Sequence, residues 1–334
     1  MEQLPILNLS DWYAGGQRRN AFITKLADAA RRIGFFYLTG HGLGLARQQQ
    51  VLQLAADFFA LPVADKLAVK MANTPHFRGY TRLQGELTLG KPDWREQFDI
   101  MQEEVANPQQ SNGPIWWQLQ GPNQWPSQLP QMKSTLLAWQ QDLVDISVTL
   151  LRAFAVALEQ PESAFDATIE AGPYQHMKLI RYPGADGQTS GQGVGAHKDP
   201  GYLTLVLQDK QSGLEVQTDN GWLSIPPLED AFVVNIGELL ELASNGYLKA
   251  TNHRVTSPPA GVERYSCAFF MAAQLNATVP LLPLPKHLAN QAQGPASDPL
   301  NPLFHQVGQN VLKGRLRSHP DVAQAHYASF AHAI

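Results

Sequence analysis

The chain has 334 residues, 44% of them apolar and only 16% charged, which suits a sizeable buried core and excludes a disordered chain. A formal charge of −4, with no basic stripe interleaved with aromatics, excludes the electrostatic footprint of a nucleic-acid binder. The single cysteine, Cys267, excludes an intramolecular disulfide framework and a CxxC zinc site, and no apolar run approaches the ~20 residues of a membrane helix.

MEQLPILNLSDW lacks a basic region followed by a long apolar segment, so no secretory signal is read and the expected location is cytoplasmic. PILNLSDW itself reads as a short strand running into a turn or helix cap. From Arg19 a helical period takes over, with Phe22, Leu26, Ala29 or Ala30 and Ile33 on one face. GFFYLTGHG, Gly34 to Gly42, is a buried strand bounded by glycines, and a second amphipathic helix covers Leu45 to Ala60 before Pro62. A polar region punctuated by glycine and proline follows from Lys70 to Gln124. It holds the strand-like REQFDIM, the polar loop NPQQSN (Asn107 to Asn112) and an aromatic group of Trp116, Trp117 and Trp125, read as loop anchors. Leu129 to Ala157 is a long helix, with Leu136, Trp139, Leu143, Ile146 and Leu150 at three- and four-residue steps.

From His176 the pattern changes to short strands separated by turn signals: HMKLIRYP, YLTLVLQD, LEVQT, WLSIPP, AFVVNIG, LKATNHRV and RYSCAFFMA. Asp219–Asn220–Gly221 marks a hairpin, and the series indicates a sandwich or barrel. ELLELASNG supplies one helix within the β region. After Pro280 the chain is Pro-rich, then helical from Pro320 to the end. The expected architecture is mainly β with flanking helices, in three parts: an N-terminal helical and β region (1–160), a β core (170–280) and a C-terminal tail (281–334) packed on it.

Within AHKDPGYLTLVLQD, His197 and Asp199 stand two residues apart, so on a strand they project to the same side while Lys198 turns outward to solvent. Such a pair on its own is a common surface or capping pattern. His253, in TNHRV on a later strand, is the best third ligand, and two histidines with one carboxylate leave open the positions that a non-haem Fe(II) oxygenase needs. In ERYSCAFF, Arg264 and Ser266 again share a face. A buried arginine needs a negative partner, and its planar fork suits a carboxylate. The bland alternative is an arginine at the barrel rim or one paired with Glu263 or Glu238. Cys267 faces the other way, as a small core residue.

Taken in order, GFFYLTGHG, RGY (Arg78 to Tyr80) with GKPDWREQFDI, LIRYP, AHKDPGYLTLVLQD, NIGELLELASNGYLKATNHRV and RYSCAFF resemble the isopenicillin N synthase-like group of Fe(II)- and 2-oxoglutarate-dependent oxygenases. The resemblance covers most of the chain. It implies a double-stranded β-helix (jelly roll) core, with iron held by His197, Asp199 and His253, and the distal carboxylate of 2-oxoglutarate held by Arg264 and Ser266 with Tyr182. It further implies oxidation of a small-molecule substrate, by hydroxylation or desaturation, using dioxygen and releasing succinate and CO2, with ascorbate as an accessory reductant. Arg78, Tyr80, Gln97, Asp99, Tyr202 and Phe270 are the substrate candidates, chosen for their places beside these motifs, each with an alternative structural role. The C-terminal helix is either a cover for the site or an ordinary packing helix.

LIRYP looks closer to isopenicillin N synthase itself, which uses no 2-oxoglutarate and turns its own R-x-S pair to the carboxylate of a peptide. An oxidase of that kind is the nearest alternative. A zinc hydrolase and a jelly-roll binding protein without chemistry stand further off: no HExxH-type base motif is present, and a hydrolase leaves R-x-S without a task.

Overall fold

A computed structural model of the chain describes residues 3–107, 113–185, 192–296 and 301–329. The NPQQSN loop beyond Asn107 and the end of the C-terminal tail lie outside the described residues.

The N-terminal part opens with β1 (Ile6–Asn8), α1 (Ser10–Ala14) and α2 (Gly16–Arg32). Helix α2 starts three residues earlier than its apolar period suggested, because that period marks only the buried face of Phe22, Leu26, Ala29 and Ala30. Gly34 then turns the chain into β2 (Phe35–Thr39) at φ +74°, where a Cβ would lie 2.1 Å from the Lys249 carbonyl oxygen. Helices α3 (Leu45–Phe59) and α4 (Val63–Ala68) follow, with Pro62 ending the first and capping the second, which the sequence reading did not expect. Strand β3 (Gly79–Thr81), the small hairpin β4 (Leu87–Thr88) and β5 (Lys91–Pro92), and β6 (Glu96–Met101) lead to the long helix α5 (Gln131–Ala157).

The core strands are β7 (Tyr174–Tyr182), β8 (Gln192–His197), β9 (Leu203–Gln208), β10 (Leu214–Thr218), β11 (Gly221–Ser224), β12 (Phe232–Ile236), β13 (His253–Thr256) and β14 (Arg264–Ala272), with α6 (Glu238–Ala243) after β12. They form two facing sheets, ordered β1-β2-β12-β9-β14-β7-β6-β3 and β11-β10-β13-β8. Past the core lie α7 (Lys286–Ala289), α8 (Val307–Ser318) and α9 (Pro320–His326). Helix α8 corrects the expectation that helix begins only at Pro320: it is short, and proline-rich sequence obscures its start.

Strand alternation divides the large sheet into two working faces. On β14, Cys267, Phe269 and Met271 turn to the helices, joining a core with Leu26, Phe58, Trp139 and Phe154. The alternate residues Ala268 and Phe270 turn inward between the sheets, with Phe35, Ile180, Tyr182, Val194, Val216 and Val255. The inner face therefore holds the site.

Candidate metal and cosubstrate site

Strand β8 ends at His197, and β13 begins at His253 directly opposite it in register. Asp199 lies just past β8 in a loop held from beneath by the start of α6, where the Glu238 and Leu239 amides donate to the Asp199 and Gly201 carbonyls at 2.7 and 3.0 Å. Gly237 permits that approach, since a Cβ there would meet the Gly201 carbonyl oxygen at 2.1 Å. As a result Asp199 Oδ1 lies 3.5 Å from His197 Nε2 and 3.7 Å from His253 Nε2. One ligand atom from each of the three lies within 4.8 Å of the others.

The surroundings leave the right lone pairs free. His197 Nδ1 is 2.8 Å from the Gly195 carbonyl and His253 Nδ1 is 3.2 Å from the Thr251 carbonyl. A carbonyl only accepts, so each Nδ1 carries the proton and each Nε2 lone pair points to the centre. Thr204 Oγ1 and Asn235 Nδ2 both donate to Asp199 Oδ2, at 2.5 and 2.8 Å, which leaves Oδ1 available. Against burial, the neighbouring His253 and His197 in their protonated forms, with the hydrogen bond from Thr204, hold the Asp199 carboxyl well below the usual range. Burial presses His253 down to about 4, so at neutral pH its imidazole is uncharged and able to ligate. Two imidazoles and one carboxylate converging on a point fit Fe(II).

Directly paired residues on neighbouring strands share a face, so the inner surface reads as rows. The row at the metal runs Phe35, Asn235, Thr204, Phe270 and His176. Here Phe35 meets His253 edge-on at 5.2 Å, and Phe270 stacks on His176 at 5.1 Å. The next row is Val233, Val206, Ala268, Lys178 and Asp99, and the one after it Gln208, Ser266, Ile180 and Gln97. Arg264 and Tyr182 form the far end.

Arg264 is 1% exposed. Its Nη2 donates to Gln208 Oε1 at 2.9 Å and its Nε to the Gln211 carbonyl at 3.3 Å, while Nη1 is buried without a hydrogen-bond partner. Among the described residues no carboxylate forms an ion pair with it, and the Tyr182 ring lies 4.9 Å from the guanidinium carbon. Asp209 acts on it electrostatically, but its oxygens are taken by the Tyr265 and Gln211 amides, so a buried guanidinium with no carboxylate in contact calls for an anion. Small side chains, Ala268 and Val206, occupy the row between Arg264 and the metal ligands. A cleft of about 450 Å³, lined by Thr88, Gln192, Gly195, Ala196 and Val255 among others, runs along the two ligand strands.

Of the six substrate candidates, Gln97, Asp99 and Phe270 lie on the inner face. The other three do not. Tyr80 pairs with Phe98 on the helix side and bonds Glu96, and Tyr202 packs against Phe165 and bonds Thr168. Arg78 is fully buried as a brace, donating to the Gln102 and Leu119 carbonyls and to Glu104. Lys198 is not solvent-facing as expected: it pairs with Glu241 at 3.1 Å and is only 19% exposed along its side chain.

Sequence reasoning missed several inner groups. Glu86 receives Lys178 Nζ at 2.7 Å and Arg95 Nη2 at 2.6 Å, and Arg95 also reaches Asp93 at 3.3 Å. Asp93 accepts the Gly195 amide at 3.2 Å, tying this cluster to the strand that carries His197. Asp99 binds Gln97 Nε2 at 2.8 Å, His176 Nε2 at 2.6 Å and Arg315 Nη1 at 3.2 Å. His176 and Lys178 share the inward face of β7 with Ile180 and Tyr182, and that spacing by two was readable once Arg264 was taken as inward.

Against burial, Lys178, His176 and Arg315 keep Asp99 ionised well below the usual carboxylate range, so His176 must be the donor in their bond. Burial, with Arg315 alongside, lowers His176 to about 3. An unfolded histidine takes up its proton near pH ~6.5, so between these values the unfolded state binds more protons and stability falls with acidification. His176 alone is expected to remove ~2 kcal/mol between pH 7 and pH 5. Burial shifts His41, His76 and His253 the same way, while Asp199 raises His197 and opposes them. Urea unfolding of metal-free protein at the two pH values measures the difference; equal midpoints would contradict the assignment of neutral buried histidines.

Residues 173–273 match the 2OG-Fe(II) oxygenase superfamily, and residues 4–128 match the family described as non-haem dioxygenase in morphine synthesis N-terminal. The fold and the convergent triad define a non-haem iron oxygenase of the isopenicillin N synthase-like superfamily. More particularly, the chain belongs to the 2OG-Fe(II) oxygenase superfamily and is an Fe(II)- and 2-oxoglutarate-dependent oxidoreductase, acting on a small organic substrate with release of succinate and CO2. It is 32% identical to the 2-oxoglutarate-dependent dioxygenase frbJ of a Dothideomycetidae species, over 97% of this chain and 91% of that one. It is 36% identical to the homoarginine-6-hydroxylase 2-ODD-C23.1 of Arabidopsis thaliana, over 77% and 78% of the two chains. Among solved structures it is similar to a full-length Neurospora crassa protein in complex with alpha-KG and 5-formyluracil, with a TM-score of 0.75 and 25% identity over 94% of this chain and 96% of the other. No helix among the described residues is long and apolar enough to cross a membrane.

Proposed function

We propose that His197, Asp199 and His253 hold the iron, that Arg264 and Ser266 with Tyr182 hold the distal carboxylate of 2-oxoglutarate, and that the substrate lies against Phe270 and His176 before Asp99 and Lys178. The observation that carries this reading is Arg264, buried with no carboxylate in contact and with Nη1 unpartnered, on the same inner face as Thr204 and Asn235, which hold Asp199. Bound Fe(II) supplies the activation of dioxygen that the side chains themselves cannot. The chain's own groups orient and enclose. Thr204 and Asn235 fix the Asp199 carboxylate, the Gly195 and Thr251 carbonyls fix the imidazole tautomers, and the Phe35 edge holds the His253 ring. Arg264 sets the length of acid that fits between itself and the metal, while Val206, Val233 and Ala268 line the space with apolar surface that excludes water. Gln97, Asp99 and Phe270 remain substrate candidates in this reading, whereas Arg78, Tyr80 and Tyr202 act as structural supports.

The oxidation is hydroxylation or desaturation of a small polar molecule, in keeping with a relative named as a hydroxylase and a fold relative holding a pyrimidine. A single buried cysteine suits a reducing cytoplasmic setting. The test is succinate formation with Fe(II), ascorbate and 2-oxoglutarate across a panel of amino acids, peptides and small aromatics. A rise that depends on both 2-oxoglutarate and one class of substrate is expected. Oxygen uptake that needs no 2-oxoglutarate and yields no succinate would refute the role given to Arg264.

A further inference from the structure

The cluster opposite the metal is donor-rich in one particular place. Its carboxylates are occupied: Glu86 by Lys178 and Arg95, Asp99 by Gln97, His176 and Arg315, and Asp93 by Thr88, Gln192 and the Gly195 amide. Several buried nitrogens are not. Arg315 Nη2, His319 Nδ1 and Arg95 Nε have no hydrogen-bond partner among the described residues, His319 Nε2 stands only in ion-pair range of Glu86, and the unmatched acceptors nearby are Gln97 Oε1 and the Tyr174 hydroxyl, which interacts electrostatically with Arg315. Arg315 is 7% exposed and His319 is 0% exposed. A buried polar group without a partner is unfavourable, and several in one place are unlike an ordinary structural ion-pair network.

Both side chains come from the C-terminal segment. Arg315 lies in the last turn of α8 and His319 four residues on, its amide donating to the Arg315 carbonyl at 3.0 Å. They reach the two carboxylates that Lys178 bridges: Arg315 Nη1 sits 3.2 Å from Asp99 and His319 Nε2 sits 3.4 Å from Glu86. Asp99 therefore holds one arm of the Arg315 fork and leaves the other arm unused. Beside it stands the stacked ring pair of Phe270 and His176, in the same row as Thr204 behind Asp199.

We propose that the substrate is a small organic carboxylate whose acid group docks on the free arm of Arg315 beside His319, with its body along the Phe270–His176 pair. This inference rests on the reading of the inner face as the reaction chamber. It makes the C-terminal segment a specificity element, because the unpaired guanidinium arm of the barrel strands, on Arg264, is the one assigned to the cosubstrate. A neutral His176, already committed to Asp99, adds no competing charge at that pair.

The experiment uses the full-length Fe(II)-loaded protein and a panel of small aliphatic and aromatic carboxylic acids, homoarginine included, each paired with its primary amide; thymine is the uncharged planar control. Substrate-stimulated succinate formation is read first. At least one acid is expected to stimulate turnover, with its amide at least ~10-fold weaker, the scale of one charge-assisted hydrogen bond. Arg315→Gln is then expected to raise KM for that acid at least ~10-fold with a smaller change in kcat. Arg315→Lys keeps a cation for Asp99 but lacks the second arm, so it should not restore KM. Rescue by lysine would make Arg315 a purely structural clamp and overturn the proposal. So would stimulation by thymine and by no acid, by acid and amide equally, or by nothing in the panel. Binding of 2-oxoglutarate to each Fe(II)-loaded variant under nitrogen, followed by calorimetry, separates the two readings: if it persists while the acid preference fails, the metal and cosubstrate assignments stand and only this inference falls.

Discussion

Asp199→Asn is expected to abolish iron retention and turnover while the protein stays folded. The amide is nearly the same size as the carboxylate and keeps an oxygen for Thr204 Oγ1 and Asn235 Nδ2, so the hydrogen bonds behind it need not be left open. What it loses is the negative charge, and with it the one anionic donor facing His197 and His253. Side chains that merely orient a ligand typically contribute ~10- to 100-fold in affinity or activity. Removing the ligand itself should exceed that, whereas Thr204→Val or Asn235→Leu should fall within it. Metal content after anaerobic reconstitution, together with succinate formation, provides the measurement. Full iron occupancy and activity in Asp199→Asn would overturn the assignment of this triad.

That triad was legible from sequence because two of its members are tied by local geometry. His197 and Asp199 are two residues apart in sequence, but Asp199 lies past the last residue of β8, where the α6 amides rather than strand alternation hold it beside His197. His253 required a guess about pairing, and the register that sets it opposite His197 comes from two sheets closing on each other. Strand alternation correctly paired Arg264 with Ser266 and turned Cys267 to the helices. It could not sort the RGY segment, because the parity of Tyr80 depends on how β3 registers against β6. Pairing Gly79 with Asp99 sends Tyr80 outward with Phe98 and keeps Asp99 inside. Least legible of all was Arg315, which meets Asp99 across 216 residues of chain from a helix that proline-rich sequence obscured.

The long-range contacts also explain why a strand-by-strand reading stops short of the substrate. Metal ligands need a few atoms at fixed spacing, and strands provide that locally. The opposite side of the chamber is assembled from β6, β7, the loop around Glu86 and Asp93, and α8, so its charges are meaningful only together. Lys178 read alone is an ordinary strand lysine; between Glu86 and Asp99 it is buried and its pKa is pushed down by desolvation.

Arg264→Gln is expected to raise KM for 2-oxoglutarate by ~30-fold or more, leaving iron content intact. Truncating one partner of a buried, hydrogen-bonded charge pair removes ~2–5 kcal/mol, and every ~1.4 kcal/mol is a factor of ten. Part of the mutational effect will appear as lost stability, since Gln208 Oε1 and the Gln211 carbonyl each lose a donor. The comparison that isolates binding is therefore between the two KM values in one variant: the value for 2-oxoglutarate should rise far more than that for the prime substrate. Ser266→Ala should give a milder rise of ~10-fold, as one hydrogen bond to a charged group is lost. Arg264→Lys should fall between them, because the ammonium keeps the charge but cannot retain the Gln208 contact and engage an acid through the same planar fork. Equal changes in both KM values would mean that Arg264 supports the barrel without touching the cosubstrate.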